Sequence, residues 1–145
     1  MTALDGSVPF QLALTASEGV AQEGLVFKIT SNALTIVTAK GDTAVAVADQ
    51  KLADTEGTAT TARSGQKIAV YLIGSSAVVN VASKNTETWA IGAPVYLADD
   101  VDGAVTASAS TSRPIGHYVG DGETTSASLQ LIPVILDVQI GAANV

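Results

Sequence analysis

Apolar and β-branched side chains come in short runs, spaced by two over 8–14 and 43–48, and turn-forming residues end each run within a few positions. That period belongs to strands, not helices. Leu25-Val26-Phe27-Lys28-Ile29-Thr30 is rich in strand formers and stops at Ser31-Asn32; Leu34-Thr35-Ile36-Val37-Thr38 follows and stops at Lys40-Gly41-Asp42. The pair predicts a hairpin with a short polar turn. Residues 43–48 alternate Thr43, Val45 and Val47 with alanines, and 46–53 would also tolerate a single helical turn. Residues 49–66 read as a long loop of Asp, Thr, Gly and Ser.

Further strands follow. Residues 67–73 predict a strand, Gly74-Ser75-Ser76 a turn and 77–82 a strand returning from it, since three residues led by Gly are a common hairpin connection. After the mixed stretch 83–93, Pro94-Val95-Tyr96-Leu97 is a short strand with Pro at its first position, where a missing N–H does little harm. Asp99-Asp100-Val101-Asp102-Gly103 turns the chain into Ala104-Val105-Thr106. Residues 107–113 read as a loop, 114–119 as a strand and Gly120-Asp121-Gly122-Glu123 as a turn. Residues 128–136 are the last and most apolar strand, with Pro133 expected at an edge or a bulge. No segment has helical period and no repeat of fixed length is evident. The pattern predicts an all-β chain, a small barrel or sandwich of short antiparallel strands.

The first 24 residues read differently. Val8, Phe10, Leu12 and Leu14 are spaced by two, with Gln11 and Thr15 beside them and Ala13 breaking the polar half of the pattern, and Asp5 is the one charge in the stretch 2–15. An extended N-terminal arm over 1–24 is expected, followed by a barrel body over 25–136 and a tail over 137–145. Val8, Phe10, Leu12 and Leu14 are candidate contacts to a partner, because an extended segment can add a strand to a neighbouring sheet.

Composition narrows the function. The net charge is −7 and the pI about 4.3, with Arg63 and Arg113 the only arginines. Nucleic acid is a poor partner for such a surface, since phosphate binding needs clustered Lys and Arg. The stretch between Lys67 and Lys84 is short for a membrane span and is broken by Gly74, Ser75, Ser76 and Asn80, so no membrane partner is expected. Without cysteine, disulfides and thiolate metal sites are excluded. Charged residues make up 14%, against about a quarter in ordinary soluble domains. So few charges suit either a Ser/Thr/Gly surface or a surface committed to a partner.

Catalytic groups are scarce. His117 is the single histidine, has no cysteine to pair with, and no Gly-x-Ser-x-Gly elbow accompanies it. Asp99, Asp100, Asp102 and Gly103 resemble part of a calcium loop, but the first and last ligand positions would fall on Ala98 and Ala109. A hairpin turn explains them better. Gly120-Asp121-Gly122 lacks the helix start and lysine of a phosphate cradle. Trp89, the lone tryptophan, is either core or a contact to a partner. No enzyme activity, cofactor or metal is expected.

A wider pattern links these strands. In order, the chain reads Gly24-Leu25-Val26-Phe27, then Ser64-Gly65-Gln66-Lys67, Ile91-Gly92-Ala93-Pro94-Val95-Tyr96-Leu97, Asp102-Gly103-Ala104-Val105-Thr106, Pro114-Ile115-Gly116-His117-Tyr118-Val119 and Leu129-Gln130-Leu131-Ile132-Pro133-Val134. This series over 24–136 resembles the viral head-decoration, or capsid cement, proteins. The resemblance implies a β-tulip barrel, related in shape to lambda-type decoration proteins. It also implies a homotrimer seated at threefold positions on the outer surface of a virion, with the major capsid protein as partner. On that reading Val8, Phe10, Leu12, Leu14 and Trp89 are the candidate capsid or intersubunit contacts. A rival reading is a carbohydrate-binding or adhesin module, which would draw its aromatic platform from Trp89, Tyr71, Tyr96 and Tyr118.

Overall fold

Ser31 and Asn32 both adopt left-handed backbone angles, φ 50° and 64°. Two such residues make the tight turn whose twist suits a hairpin, and the expected first hairpin forms around them. The computed structural model describes residues 10–16, 22–49, 66–109 and 113–137, and among them every regular element is a strand. The first five are β1 (Phe10–Ala16), β2 (Val26–Thr30), β3 (Ala33–Ile36), β4 (Ala46–Ala48) and β5 (Gln66–Leu72). They close into a barrel in the order β1-β3-β2-β4-β5. The next seven are β6 (Val78–Ser83), β7 (Thr88–Trp89), β8 (Pro94–Leu97), β9 (Val105–Thr106), β10 (Gly116–Tyr118), β11 (Glu123–Thr124) and β12 (Gln130–Ile135). Of these, β6, β8, β9, β10 and β12 close a second barrel, and β7 and β11 form a separate two-stranded sheet.

The two barrels are wired alike. Read from β6, the closed order of the second barrel is β6-β9-β8-β10-β12, which repeats that of the first strand for strand. Each contains one parallel pair, β1 with β3 and β6 with β9. The registers also agree. Val26 and Phe27 face Val47 and Ala46, as Pro94 and Val95 face His117 and Gly116. Val47 and Ala48 face Tyr71 and Val70, as His117 and Tyr118 face Ile135 and Val134. Leu34 lies opposite Ile29 and beside Ala16, as Val105 lies opposite Leu97 and beside Ser83. The loops follow suit. Gly24 N–H donates to Ala48 O and Ala48 N–H to Leu25 O; Gly92 N–H donates to Tyr118 O and Tyr118 N–H to Ala93 O.

Several expectations change. The all-β barrel expectation holds, but two barrels form where one was expected over 25–136, and the first of them includes β1, outside that span. Strands β5 and β6 do not form a hairpin: β5 pairs with β1 and β4, and β6 pairs with β12 and β9. Gly74 and Ser76 N–H groups instead both donate to Leu136 O, so the turn links one barrel to the next. Residues 46–48 are a strand and not a helical turn. Pro133 sits inside a closed sheet, between β6 and β10, with no break in the β6–β12 register. Its carbonyl accepts from Val119 N–H just past the end of β10, so its missing donor falls where β10 has already ended. Residues 10–16, expected within a free arm, form β1 and pair along β5. Val8 lies outside the described residues, as do 138–145 of the expected tail.

Each barrel has its own apolar filling. Leu25, Phe27, Leu34, Ala46, Ala48 and Val70 pack together in the first. Val79, Val81, Val95, Leu97, Val105, Tyr118, Ile132 and Val134 pack with Trp89 in the second. Alternation along a strand sends the intervening residues outward. On the first barrel those outward residues are not all in water: Val26, Val37, Val47 and Tyr71 are buried in the core of the second. Val26 N–H donates to Gly103 O and Gly103 N–H to Val37 O across the junction. In return Ala82 of β6 is buried with the first barrel's core. Such burial is worth about 1.5–3 kcal/mol for each large apolar side chain.

Candidate functional site

The short sheet β7–β11 brings Trp89 into the second barrel. Trp89 is 1% exposed. Its ring stacks on Tyr118 with centroids 5.8 Å apart, and its Nε1–H donates to Ser83 Oγ at 3.1 Å. The core reading of Trp89 holds, and a buried indole has no face to offer a capsid or another subunit. The Tyr118 hydroxyl accepts from Gly122 N–H, and burial pushes its pKa above the ordinary tyrosine value.

A polar network backs this sheet. The buried carboxylate of Glu87 accepts from Thr106 Oγ1 at 2.7 Å and from Ala107 N–H at 3.0 Å, and lies 3.7 Å from the Lys84 ammonium. Thr125 Oγ1 accepts from Glu87 N–H and donates to Lys84 O at 2.7 Å. The hydrogen bond from Lys84 to Asp100, helped by the nearby Glu87 charge, holds the lysine pKa above its ordinary value. A surface cavity of about 260 Å³ opens beside this network, lined by Lys40, Lys84, Asp99, Asp100 and Thr106 among others. Each of its lysines faces a carboxylate, Lys84 on Asp100 at 3.2 Å and Lys40 on Asp99 at 3.9 Å. The charges are compensated within the protein, and the cavity offers no net charge to an ionic ligand.

His117 Nδ1–H donates to Asp137 Oδ1 at 2.7 Å and ties β10 to the residues leaving β12. No group of three or more metal-binding side chains occurs among the described residues. Asp99, Asp100 and Asp102 form the β8–β9 turn, as the turn reading expected.

Comparison with family models, curated proteins and solved structures finds no match.

The remaining feature is apolar surface. Among the described residues, four large apolar side chains are exposed: Ile91 at 73%, Ile29 at 48%, Val119 at 39% and Leu72 at 36%. Ile29 and Leu72 belong to the first barrel, and Ile91 and Val119 to the second. Exposed apolar side chains mark a binding surface only where they form a contiguous patch. Sequence reasoning missed all four: at Ile29 and Leu72 a strand residue looks the same whether its face is covered or bare, and Ile91 and Val119 lie just outside β8 and β10. The expected contacts Phe10, Leu12 and Leu14 lie in β1 at the backbone level, with Phe10 opposite Val70.

Proposed function

We propose that this chain is a capsid decoration protein, a structural virion protein that binds the outer surface of an assembled capsid as a trimer at threefold positions and stabilises it. The observation that carries the reading is the ordered set of motifs and where they fall. Residues 92–97 open and form β8, 102–106 form the next turn and β9, 115–119 contain β10, and 129–134 cover most of β12. These four strands make up all of the second barrel but β6. The opening Gly24-Leu25-Val26-Phe27 occupies the equivalent position in the first barrel.

Such a protein needs no active site. It stabilises the shell because it binds the assembled state, and the gain grows with occupancy and with the number of linked copies. The rival sugar-binding reading needs an aromatic platform, and Trp89, Tyr71 and Tyr118 are all buried.

The test is co-sedimentation with empty capsids of the virus that encodes the chain, followed by heating. The protein should pellet with capsids, saturate at a fixed copy number and raise the temperature at which the shells rupture. Absence from the pellet at saturating concentration would contradict the proposal.

A further inference from the structure

The junction between the barrels uses a different face on each. The first barrel contributes the outward triad Val26, Val47 and Tyr71, three residues side by side across β2, β4 and β5. They are buried in the cluster that contains Leu97 and Leu136 of the second barrel. By register, the second barrel carries the same triad as Pro94, His117 and Ile135 across β8, β10 and β12. All three are only partly buried. The first barrel likewise carries the counterparts of Leu97 and Leu136, namely Ile29 and Leu72. Leu97 and Leu136 are buried, whereas Ile29 and Leu72 are exposed.

The bare apolar residues therefore lie where the internal contact has been left undone. Ile29 and Leu72 mark the unused end of the first barrel. Ile91 and Val119 border the unused triad of the second: Gly92 N–H donates to Tyr118 O and Val119 N–H to Pro133 O, which sets both beside β10. A contact between unlike faces leaves one of each kind unsatisfied, and such contacts propagate from copy to copy until a ring closes.

We infer that copies of this chain join head to tail, the outer face of β8, β10 and β12 of one copy docking on the Ile29–Leu72 end of the next and repeating the junction inside each chain. The partner is a second copy because the surface it must match is already present on the molecule. The inference names the faces for the self-association in the functional reading, but it needs no capsid and is tested without one.

Two variants separate the faces. Ile29→Asp with Leu72→Asp spoils the end, and Ile91→Asp with Val119→Asp spoils the face. All four positions are exposed, so both chains should melt near the unmodified protein. If either unfolds, the single substitutions at Ile29 and Ile91, the most exposed of each pair, replace it. Sedimentation velocity up to millimolar concentration should show oligomers for the unmodified chain. Each variant should associate at least about tenfold more weakly, because docking would bury an unpaired carboxylate. An equimolar mixture should form a heterodimer and stop there, since one sound interface remains. An unmodified chain that stays monomeric throughout overturns the inference. So do variants that assemble normally, or a mixture that stays monomeric.

Discussion

Tyr118 and Ala48 hold the same station in the two barrels, each facing a valine of the closing strand and each bonded through its N–H to the loop before the second strand. Tyr118 fills its barrel together with Trp89. Around Ala48 the volume comes from elsewhere, with Phe27 standing where the second barrel has Val95. One frame thus accepts two fillings. What the barrels keep in common is register and the loop hydrogen bonds. What they exchange is side-chain volume, which cores tolerate when the total is conserved.

The largest effect should come from emptying the fuller barrel. Trp89→Ala removes a fully buried indole and should cost about 3–5 kcal/mol in denaturant unfolding. Because Val26, Val47 and Tyr71 share that core, a single cooperative transition should persist at a lower midpoint. Two separate transitions would show that the barrels are independent.

Equivalent glycines give a sharper contrast. Gly24 and Gly92 have φ of 85° and 81° and make the same loop bond. Alanine at Gly92 would meet open space and should cost only the backbone penalty, about 1–2 kcal/mol. At Gly24 its Cβ would lie 2.8 Å from the Ala82 backbone nitrogen and 2.7 Å from Leu131 Cδ2, both of the other barrel. Gly24→Ala should therefore exceed Gly92→Ala by about 1–3 kcal/mol, the usual cost of overpacking. Equal melting shifts would mean that the junction is loose.

Smaller effects test the electrostatics of the first barrel. Asp42 accepts from Lys28 Nζ at 2.9 Å and from the N–H groups of Thr38 and Ala39. The lysine contact, chiefly, holds its carboxyl below the ordinary aspartate range. Its stabilisation is thus present at neutral pH and lost as pH falls through that lowered value. Asp42→Asn should cost about 1–2 kcal/mol at pH 7 by thermal or urea melts, with the difference narrowing in acid. Glu23 runs the other way, since burial and then the Asp49 charge raise its pKa. Ionised Glu23 is a small liability at neutral pH, so Glu23→Gln should raise the melting temperature slightly there. That gain should vanish once acid protonates Glu23 in the parent. A variant that melts lower at neutral pH would contradict this sign.

Runs of strand-forming residues closed by turn residues carried most of the strands. The β2–β3 and β8–β9 hairpins were legible from their turn residues. Strands β7 and β11 were not. Two residues are too few for a period, and only pairing with each other across the chain makes them strands. The Gly74-Ser75-Ser76 turn misled for a related reason: a local hairpin signal fixes the bend but not the partner, and here the longer-range pairings of β5 and β6 prevail. The repeat escaped because equivalent positions differ in residue, Tyr118 for Ala48 and Pro94 for Val26. Their spacing also drifts along the chain as the loops change length. Nothing in the sequence sets Ile29 and Leu72 apart from the buried residues of their strands, Phe27 and Val70, since each continues the same side by alternation.

Reconstruction of the virion by electron cryomicroscopy, with and without this protein, tests the account most directly. The account predicts three copies around each threefold position on the outer surface, with the second barrel of each copy against the first barrel of the next, and shells that rupture more readily when the protein is missing. Unmodified particles that carry no copy of the protein, or single copies away from the threefold positions, would contradict it.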